Sequence, residues 1–273
     1  MLKERLNAVR QKTPLVHNIT NYVTVNDCAN VLLACGASPI MADDMQEVEE
    51  ITALCGGLNI NIGTLNQHTI PAMRLAGKQA VALGHPVILD PVGAGASRLR
   101  TGTAIQLMQQ IPFTVLRGNI SEIKALALGG GTTRGVDADL ADTVNADTLD
   151  SAIVFAKAFA KRTGAVIAIT GAIDLVADSK TAYLIRNGHP IMSRVTGTGC
   201  MLSAMTAAYL AANPDHVLEA TAAAVCAMGL CGEIAQARMT EQDGTASFRT
   251  YLIDAISNLD GETLEQGAKV EIV

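Results

Sequence analysis

Residues 58–90 have the sequence LNINIGTLNQHTIPAMRLAGKQAVALGHPVILD, and this stretch contains the unit from which the fold is built. Two short, mainly apolar runs, 58–63 and 86–90, have the length and composition of buried strands. The residues between them, 70–83, have the apolar spacing of a helix, and the following Gly84 is typical of a helix end. A strand, a helix and a strand in this order predict two parallel strands joined by a crossover.

The same alternation continues on both sides of this unit. Further buried strands are predicted at 15–19, 39–42, 113–118 and 166–171. Two more helices, 23–35 and 43–55, are each followed by a glycine, which predicts left-handed caps there as well. This part of the chain therefore predicts a largely parallel sheet with helices on both faces, an α/β fold.

The pattern changes after Gly171. Two consecutive antiparallel strands are predicted, at 175–178 and 181–186. The remainder is predicted to be helical, with a short polar tail from 269 to 273 and helices at 200–212, 217–238 and 247–259.

The chain of 273 residues suits one large α/β domain and contains no internal repeat or low-complexity linker. Its glycine-rich loop, 129–137, is too short to separate two domains. Nearly half of the residues are apolar (49%) but only 3% are aromatic, so the core must be built from aliphatic side chains. We expect a single domain over residues 1–273.

Composition also argues against several classes of function. The net charge is −6 and no Lys/Arg cluster forms a stripe, which argues against nucleic-acid binding. The six cysteines form no Cys-x-x-Cys pair, so reduced thiols are expected. The N-terminus lacks the apolar stretch of a signal peptide, and the uncharged helical stretches 201–214 and 220–232 are shorter than the roughly 20 residues that cross a bilayer. We expect a soluble, cytoplasmic protein that does not enter a membrane.

In parallel α/β sheets, ligands bind beyond the carboxyl ends of the strands. Asparagine side chains after the first strand would hydrogen-bond a neutral polar ligand there, although Thr20 or Asn21 would serve equally well as the cap of the next helix. The other candidates at strand ends are Gly63, Thr64, Asp90, Arg117, Asn119, Thr170 and Gly171.

The most distinctive motif is VTGTGC, residues 195–200, at the start of a predicted helix. Gly197 and Gly199 allow the backbone to bend so that several N–H groups converge, and the helix start adds its unpaired donors and positive dipole end. Together with Thr198, this loop predicts an anion pocket of the kind that stabilises a phosphoryl group during transfer. The alternative is a glycine-rich turn before an alanine-rich core helix.

Cys200 closes this motif in the first helical turn. A helix N-terminus can lower the pKa of a thiol and so produce a base or nucleophile. The alternative is a small buried residue, as the other five cysteines are expected to be.

Charged residues follow two of the predicted strands. Asp90, held between a strand and a Pro/Gly loop, could bind Mg²⁺ or orient a substrate hydroxyl, or it could simply cap the next turn. Arg117 suits a phosphate better than a core. Glu122 could reach a hydrated Mg²⁺, while Asn119 and Glu122 also have the spacing of a capping box. Neither a dinucleotide fingerprint nor a Walker motif is present.

Five segments in a fixed order resemble the hydroxyethylthiazole kinase family of the ribokinase-like superfamily. They are PLVHNITNYVTVNDCANVLLACGASPIMADD, NIGTL, ILDPVGAGAS, LRGNISEI and VTGTGCMLSA, and the resemblance runs from about residue 15 to 259. It implies a ribokinase-like three-layer fold. It also implies that Mg²⁺ and ATP serve to phosphorylate the primary alcohol of 4-methyl-5-(2-hydroxyethyl)thiazole, a salvage step towards thiamin.

The resemblance further implies roles for individual residues. Asp90 and Glu122 would be the Mg²⁺- and phosphate-orienting carboxylates, and Arg117 and Thr170 would contact the nucleotide. Members of the wider superfamily usually carry an aspartate base where this chain has Cys200, so the resemblance leaves the basicity of Cys200 open. The family resemblance also implies a homotrimer with the thiazole site between subunits. The implied thiazole contacts are Asn21, Met41, Gly63 and Gly197.

Two other functions would use the same glycine loop. An ATP-dependent NAD(P)H-hydrate dehydratase would use a similar anion pocket on the same scaffold. A non-catalytic nucleotide-binding module would need the glycine loop without the carboxylates at positions 90 and 122. The HNITN and PIM segments argue against the first, and the presence of Asp90 and Glu122 together with the glycine loop argues against the second.

Overall fold

The structure is a computed structural model that describes residues 1–129 and 148–273. The predicted glycine-rich loop 129–137 therefore lies, apart from its first residue, outside the described residues.

Within the described residues, nine strands form one sheet in the order β2-β1-β3-β4-β5-β6-β7-β8-β9. The strands from β2 to β6 are parallel, whereas β7, β8 and β9 are added antiparallel at one edge. The change after Gly171 is thus confirmed. The strands are β1 Leu15–Ile19, β2 Ser38–Met41, β3 Gly57–Asn61, β4 Val87–Asp90, β5 Val115–Asn119, β6 Val166–Thr170, β7 Asp174–Ala177, β8 Ala182–Ile185 and β9 Val270–Ile272.

Helices cover both faces of this sheet, as the sequence predicts. One core cluster lies beneath α1, α2 and α8 to α11, and a second lies beneath α3 to α7. The helices are α1 Leu2–Lys12, α2 Val25–Cys35, α3 Val48–Leu54, α4 Thr69–Ala82, α5 Arg98–Gln110, α6 Ile120–Gly129, α7 Leu149–Thr163, α8 Thr198–Ala212, α9 Val217–Ala237, α10 Thr245–Asn258 and α11 Gly261–Gly267.

Two local predictions were wrong. Gly36 and Gly84 have the expected left-handed backbone, with φ of 96° and 72°, but Gly56 does not. The chain passes directly from α3 into β3 there, and the Gly56 N–H donates to the carbonyl of Leu15 instead of closing a left-handed cap. The polar tail contains β9, which was missed because a largely exposed edge strand of three residues is too short for its alternation to stand out from a loop.

Helix α9 agrees with the predicted helix 217–238 but is longer than its uncharged stretch, 220–232, on which the argument against a membrane span was based. It has 21 residues and a mean hydropathy of 1.5 over its most apolar window, so by length and composition alone it could cross a membrane. Of that window, 72% is buried inside the protein, where α9 packs against α8 and α10. Its apolar character is therefore explained by its position in the core.

Small residues allow α8 to lie very close to the sheet. A Cβ atom on Gly57 in β3 would lie 3.2 Å from the carbonyl oxygen of Ala207 in α8. This close approach brings the first turns of α8 over the carboxyl ends of β3 and β4, where the candidate site residues lie.

Candidate active site

Four parallel strands each present a polar side chain at the carboxyl end, on the face that packs against α8. Asn61 and Asp90 are direct partners in the β3–β4 register. Arg117 in β5 and Thr170 in β6 continue the row. Side chains two residues earlier in β4, β5 and β6 belong to the apolar core beneath α8, so strand alternation places these polar groups on the same face.

The glycine loop enters α8 above this row. Gly197 is the N-cap of α8 with φ of 94°, and a Cβ there would lie 2.6 Å from Cγ2 of Thr24. At Gly199, a Cβ would lie 2.7 Å from the guanidinium of Arg117. Because neither position accommodates a side chain, the first N–H groups of α8 stay accessible, and a helix start leaves them without intrahelical partners.

Two cavities open around this loop. Cavity A, of about 430 Å³, lies between the loop, α2 and the ends of β3 to β5. Cavity B, of about 500 Å³, extends along Asn187–Gly188 towards Met192, Val225 and Met228. The two cavities share Arg117, Thr170 and Gly199, so they meet at the glycine loop.

The structure brings nearly all of the candidate residues to these cavities. Thr198 lines cavity B. Met41 and Thr64 are the exceptions, because they line neither cavity. Met41 ends β2 and is half-buried against the apolar core. The candidates that line cavity A are Asn21, Gly63, Asp90, Arg117, Asn119, Glu122, Thr170, Gly197, Gly199 and Cys200.

Asp90 is completely buried, and its two carboxylate oxygens differ in their hydrogen bonding. Its Oδ2 accepts hydrogen bonds from Asn61 Nδ2 at 2.7 Å and from Ser203 Oγ at 2.8 Å. Arg117 Nη1 lies 3.5 Å from the same oxygen. Oδ1 has no partner among residues 1–129 and 148–273. Burial raises the pKa of Asp90, and the charge of Arg117 opposes that rise.

Glu122 and Asn119 form the reciprocal capping box that the spacing predicts. The Asn119 N–H donates to Glu122 Oε2 and the Glu122 N–H donates to Asn119 Oδ1, both at 2.9 Å. Oε1 of Glu122 accepts from the N–H of Gly93, also at 2.9 Å. The Glu122 carboxylate therefore connects the start of α6 to the loop that follows Asp90.

The environment of Cys200 contradicts the expectation of a thiol with a lowered pKa. Its Sγ lies 3.2 Å from Asn21 Nδ2 and 3.3 Å from Asn61 Nδ2, and the residue is only 9% exposed. Burial raises the pKa of the thiol, and the neighbouring charge of Asp90 acts in the same direction. Burial is the largest cause of this shift, and the hydrogen bond from Asn21 opposes it.

The suggestion that Thr20 or Asn21 caps α2 was also wrong. The N-cap is Thr24. Asn21 instead accepts hydrogen bonds from the N–H and the hydroxyl of Thr24, both at 3.1 Å, and directs its own amide N–H groups towards Asn61 and Cys200.

Sequence reasoning missed Asn61 and Ser203. Asn61 donates to Asp90 and Cys200 and accepts from Asn21, and Ser203 donates to Asp90. A signal for Asn61 was present in the run NINI, because an asparagine on the buried face of an interior strand must find hydrogen-bond partners.

A family model described as the hydroxyethylthiazole kinase family matches residues 6–262. This chain belongs to the hydroxyethylthiazole kinase family. The hydroxyethylthiazole kinase of Clostridium acetobutylicum is 66% identical over 271 residues, with 99% of each chain covered. Membership in this family identifies the chain as a kinase.

Solved structures agree with this assignment. The structure of hydroxyethylthiazole kinase from Pyrococcus horikoshii OT3 matches with a TM-score of 0.88 and 37% identity, covering 100% of this chain and 98% of that one. The pyridoxal kinase of Staphylococcus aureus, in complex with AMP-PCP, shares the fold at a TM-score of 0.62 with 16% identity, covering 95% and 97%. The chain therefore has the ribokinase-like fold.

Proposed function

We propose that this hydroxyethylthiazole kinase family member transfers the terminal phosphoryl group of ATP to the primary alcohol of 4-methyl-5-(2-hydroxyethyl)thiazole. The observation that carries the proposal is the meeting of cavities A and B at Arg117, Thr170 and Gly199. Two cavities that meet at an anion pocket suit a reaction in which one bound molecule passes a phosphoryl group to another.

The nucleotide occupies cavity B, with its phosphates directed towards Arg117 and Thr170. Arg117 Nη2 donates to Thr170 Oγ1 at 2.8 Å, which holds the guanidinium where the two cavities meet. Its positive charge and the N–H groups at residues 197–200 stabilise the charge that gathers on the transferring phosphoryl oxygens.

The thiazole alcohol occupies cavity A, in contact with Asn21, Gly63 and Gly197, and its hydroxyl points towards Cys200. Because the Cys200 pKa is raised, the thiol is mostly protonated near neutral pH. Phosphoryl transfer through a loose transition state asks little of a base, so Cys200 acts mainly by positioning the hydroxyl.

Met41 completes the thiazole site in a homotrimer whose subunits meet at cavity A. Two apolar side chains beside Asn21 support this arrangement, because Tyr22 is 78% exposed and Val23 is 58% exposed. A neighbouring copy that covers them would also bring further surface to the open side of the cavity.

The residues of cavity A fit a hydrated Mg²⁺ ion. Asp90 Oδ1 is a buried acceptor without a partner in the described part of the chain, and Glu122 places a second carboxylate in the same wall. No group of three or more His, Cys, Asp or Glu side chains in residues 1–129 and 148–273 is arranged to hold a metal, so waters and phosphate oxygens would supply the remaining ligands. When bound, Mg²⁺ neutralises charge on the phosphate oxygens.

The chain acts as a single domain in the cytoplasm. All six cysteines are buried and unpaired, in agreement with a reducing compartment.

A coupled assay of ADP release tests the proposed function. Purified protein with Mg²⁺ and ATP is given the thiazole alcohol, a pyrimidine alcohol or ribose in parallel, and the phosphorylated product is identified by mass. We expect turnover with the thiazole alcohol and at least tenfold lower kcat/KM with the others, about 1.4 kcal/mol of discrimination. Repair of hydrated NADPH in place of alcohol phosphorylation would indicate the dehydratase, and ATP binding without turnover would indicate a non-catalytic module.

A further inference from the structure

One side chain that lines neither cavity bonds to four residues around cavity A. Asn61 Nδ2 donates to Asp90 Oδ2 at 2.7 Å and to Cys200 Sγ at 3.3 Å. Its Oδ1 accepts from Asn21 Nδ2 at 3.0 Å and from the N–H of Gly63 at 2.9 Å.

These four bonds use the whole hydrogen-bonding capacity of the side chain. A carboxamide has two N–H donors and an oxygen that accepts two hydrogen bonds. Since all of them are taken within the protein and Asn61 is almost completely buried, the side chain has nothing left with which to contact a substrate. Any influence on the reaction must therefore pass through its partners.

The partners of Asn61 belong to the two sides of the proposed reaction. Asn21 and Gly63 are on the side of the alcohol, and both donate hydrogen bonds to the carboxamide oxygen of Asn61. Asp90 and Cys200 are on the side of the phosphoryl group and the attacking hydroxyl, and both accept hydrogen bonds from the carboxamide nitrogen of Asn61. One rigid planar group thus fixes the distance between the two sides.

We propose that Asn61 is a positioning residue that holds the alcohol contacts Asn21 and Gly63 in register with Asp90 and Cys200. This inference rests on the proposed function. Together with Ser203, Asn61 occupies Asp90 Oδ2 and leaves Oδ1 as the free atom. Together with Asn21, it sets the position of the Cys200 sulfur.

Two substitutions separate the functions of the oxygen and the nitrogen. Asn61→Asp keeps an acceptor for Asn21 and Gly63 but removes the donor to Cys200 and places a second buried carboxyl against that of Asp90, where the two share one proton. We expect kcat to fall about 100-fold while the alcohol KM stays within about threefold. Asn61→Ala removes all four bonds, so we expect the alcohol KM to rise about tenfold in addition to the loss in kcat. In Asn61→Ala the ATP KM stays within about threefold, since Asn61 makes no contact with Arg117 or Thr170.

Asn59 provides the matched control. It lies two positions earlier on the same face of β3, is completely buried, and donates to Asn18, away from both cavities. Asn59 makes one hydrogen bond where Asn61 makes four, so we expect Asn59→Ala to lower the melting temperature less than Asn61→Ala. Its kcat and KM should stay within about twofold of wild type.

The experiment measures steady-state constants for wild type and the three variants, the melting temperature of each, and alcohol binding by calorimetry without ATP. Calorimetry is expected to show weaker binding for Asn61→Ala and unchanged binding for Asn61→Asp. Normal kinetics in Asn61→Ala beside an active wild type, or equal kinetic losses in Asn59→Ala, would overturn the positioning role alone. A wild-type protein inactive on the alcohol overturns the proposed function, and this inference with it.

Discussion

The guanidinium of Arg117 lies against the backbone of Gly199 so closely that a Cβ atom at position 199 would be 2.7 Å from Nη1 and 2.8 Å from Nη2. The contact joins the proposed nucleotide side of the site to the glycine loop. Gly199 lies in the first turn of α8 and its backbone is not left-handed, whereas Gly197 has φ of 94°. Position 199 thus requires glycine because of the space that Arg117 occupies, and not because of backbone strain.

Gly199→Val is expected to abolish most turnover while the fold persists. The added side chain displaces the flexible end of Arg117 from Thr170 and fills the anion pocket, so kcat/KM should fall at least 100-fold. The helical backbone can accept valine, so the melting temperature should change little. Gly102→Val in α5 is the control, because among the described residues no side chain, and no backbone outside its own helix and its chain neighbours, lies within 4 Å of a Cβ at that position. Near-normal kcat/KM in Gly199→Val would contradict the anion pocket.

Cys200→Ala and Cys200→Ser together test how the thiol acts. Alanine leaves the N–H groups of Asn21 and Asn61 without an acceptor, so kcat should fall by tenfold or more, well beyond the change in KM. Serine keeps an acceptor but is a far weaker acid, so a positioning role predicts that Cys200→Ser retains kcat within about tenfold. Equal losses in both variants would indicate a base, and near-normal kcat in Cys200→Ala would indicate packing only.

Arg100 is expected to fix the shape of cavity A without lining it, because it holds two loops that form the cavity wall. Its Nη2 donates to the carbonyl of Gly63 at 2.7 Å and its Nη1 to that of Val92 at 3.4 Å, so it connects the loops after β3 and β4. Arg100→Met should raise the alcohol KM about threefold to tenfold with a smaller effect on kcat. The exposed Arg98, on the same helix, is the control, and equal effects of Arg98→Met would indicate a general charge effect.

Glu122 is expected to stabilise the start of α6 and also to strengthen Mg²⁺ binding. Glu122→Gln removes the negative charge and one of two acceptors for backbone N–H groups, so stability should fall by about 1 kcal/mol. The Mg²⁺ concentration for half-maximal activity should also rise about tenfold. Asn119→Ala breaks the same capping box without changing the charge. Its Mg²⁺ dependence should stay normal, and an unaltered Mg²⁺ dependence in Glu122→Gln would remove Glu122 from the metal site.

His17 should make the fold less stable at acidic pH. It is completely buried, with Nε2 at 2.8 Å from the Ala42 carbonyl and Nδ1 at 2.9 Å from Thr52 Oγ1. Burial lowers its pKa below the ordinary value of 6.5, although the hydrogen bond to Ala42 opposes the shift. The unfolded chain therefore takes up a proton that the folded chain does not, so stability falls as pH drops below that value.

Urea unfolding between about pH 7.5 and 5.5 measures this effect. Wild type should lose about 1 kcal/mol more than His17→Gln over that interval. Buried carboxyls act in the opposite direction, since burial raises the pKa of Asp174 to about 7 and the folded form takes up the proton first. Their contribution is common to both proteins and cancels in the difference. Equal losses in the two proteins would contradict the prediction for His17.

Much of the fold was predictable because its signals are local. Apolar runs located β1 to β8 within about two residues, and glycines marked the ends of α2 and α4. The missed features depend on tertiary neighbours. β9 exists only because β8 offers an edge, and Gly56 passes straight into a strand because Leu15 lies beside it.

By itself, the sequence determined the order of strands and helices, the glycine loop at the start of α8, and the polar residues at the strand ends, because each of these is a property of neighbouring positions. Only the tertiary structure decided the direction of the Cys200 pKa shift and the four hydrogen bonds of Asn61. These two residues are 139 positions apart in the chain. Their contact, and the burial that raises the pKa of the thiol, arise because α8 packs closely enough on β3 and β4 to exclude water.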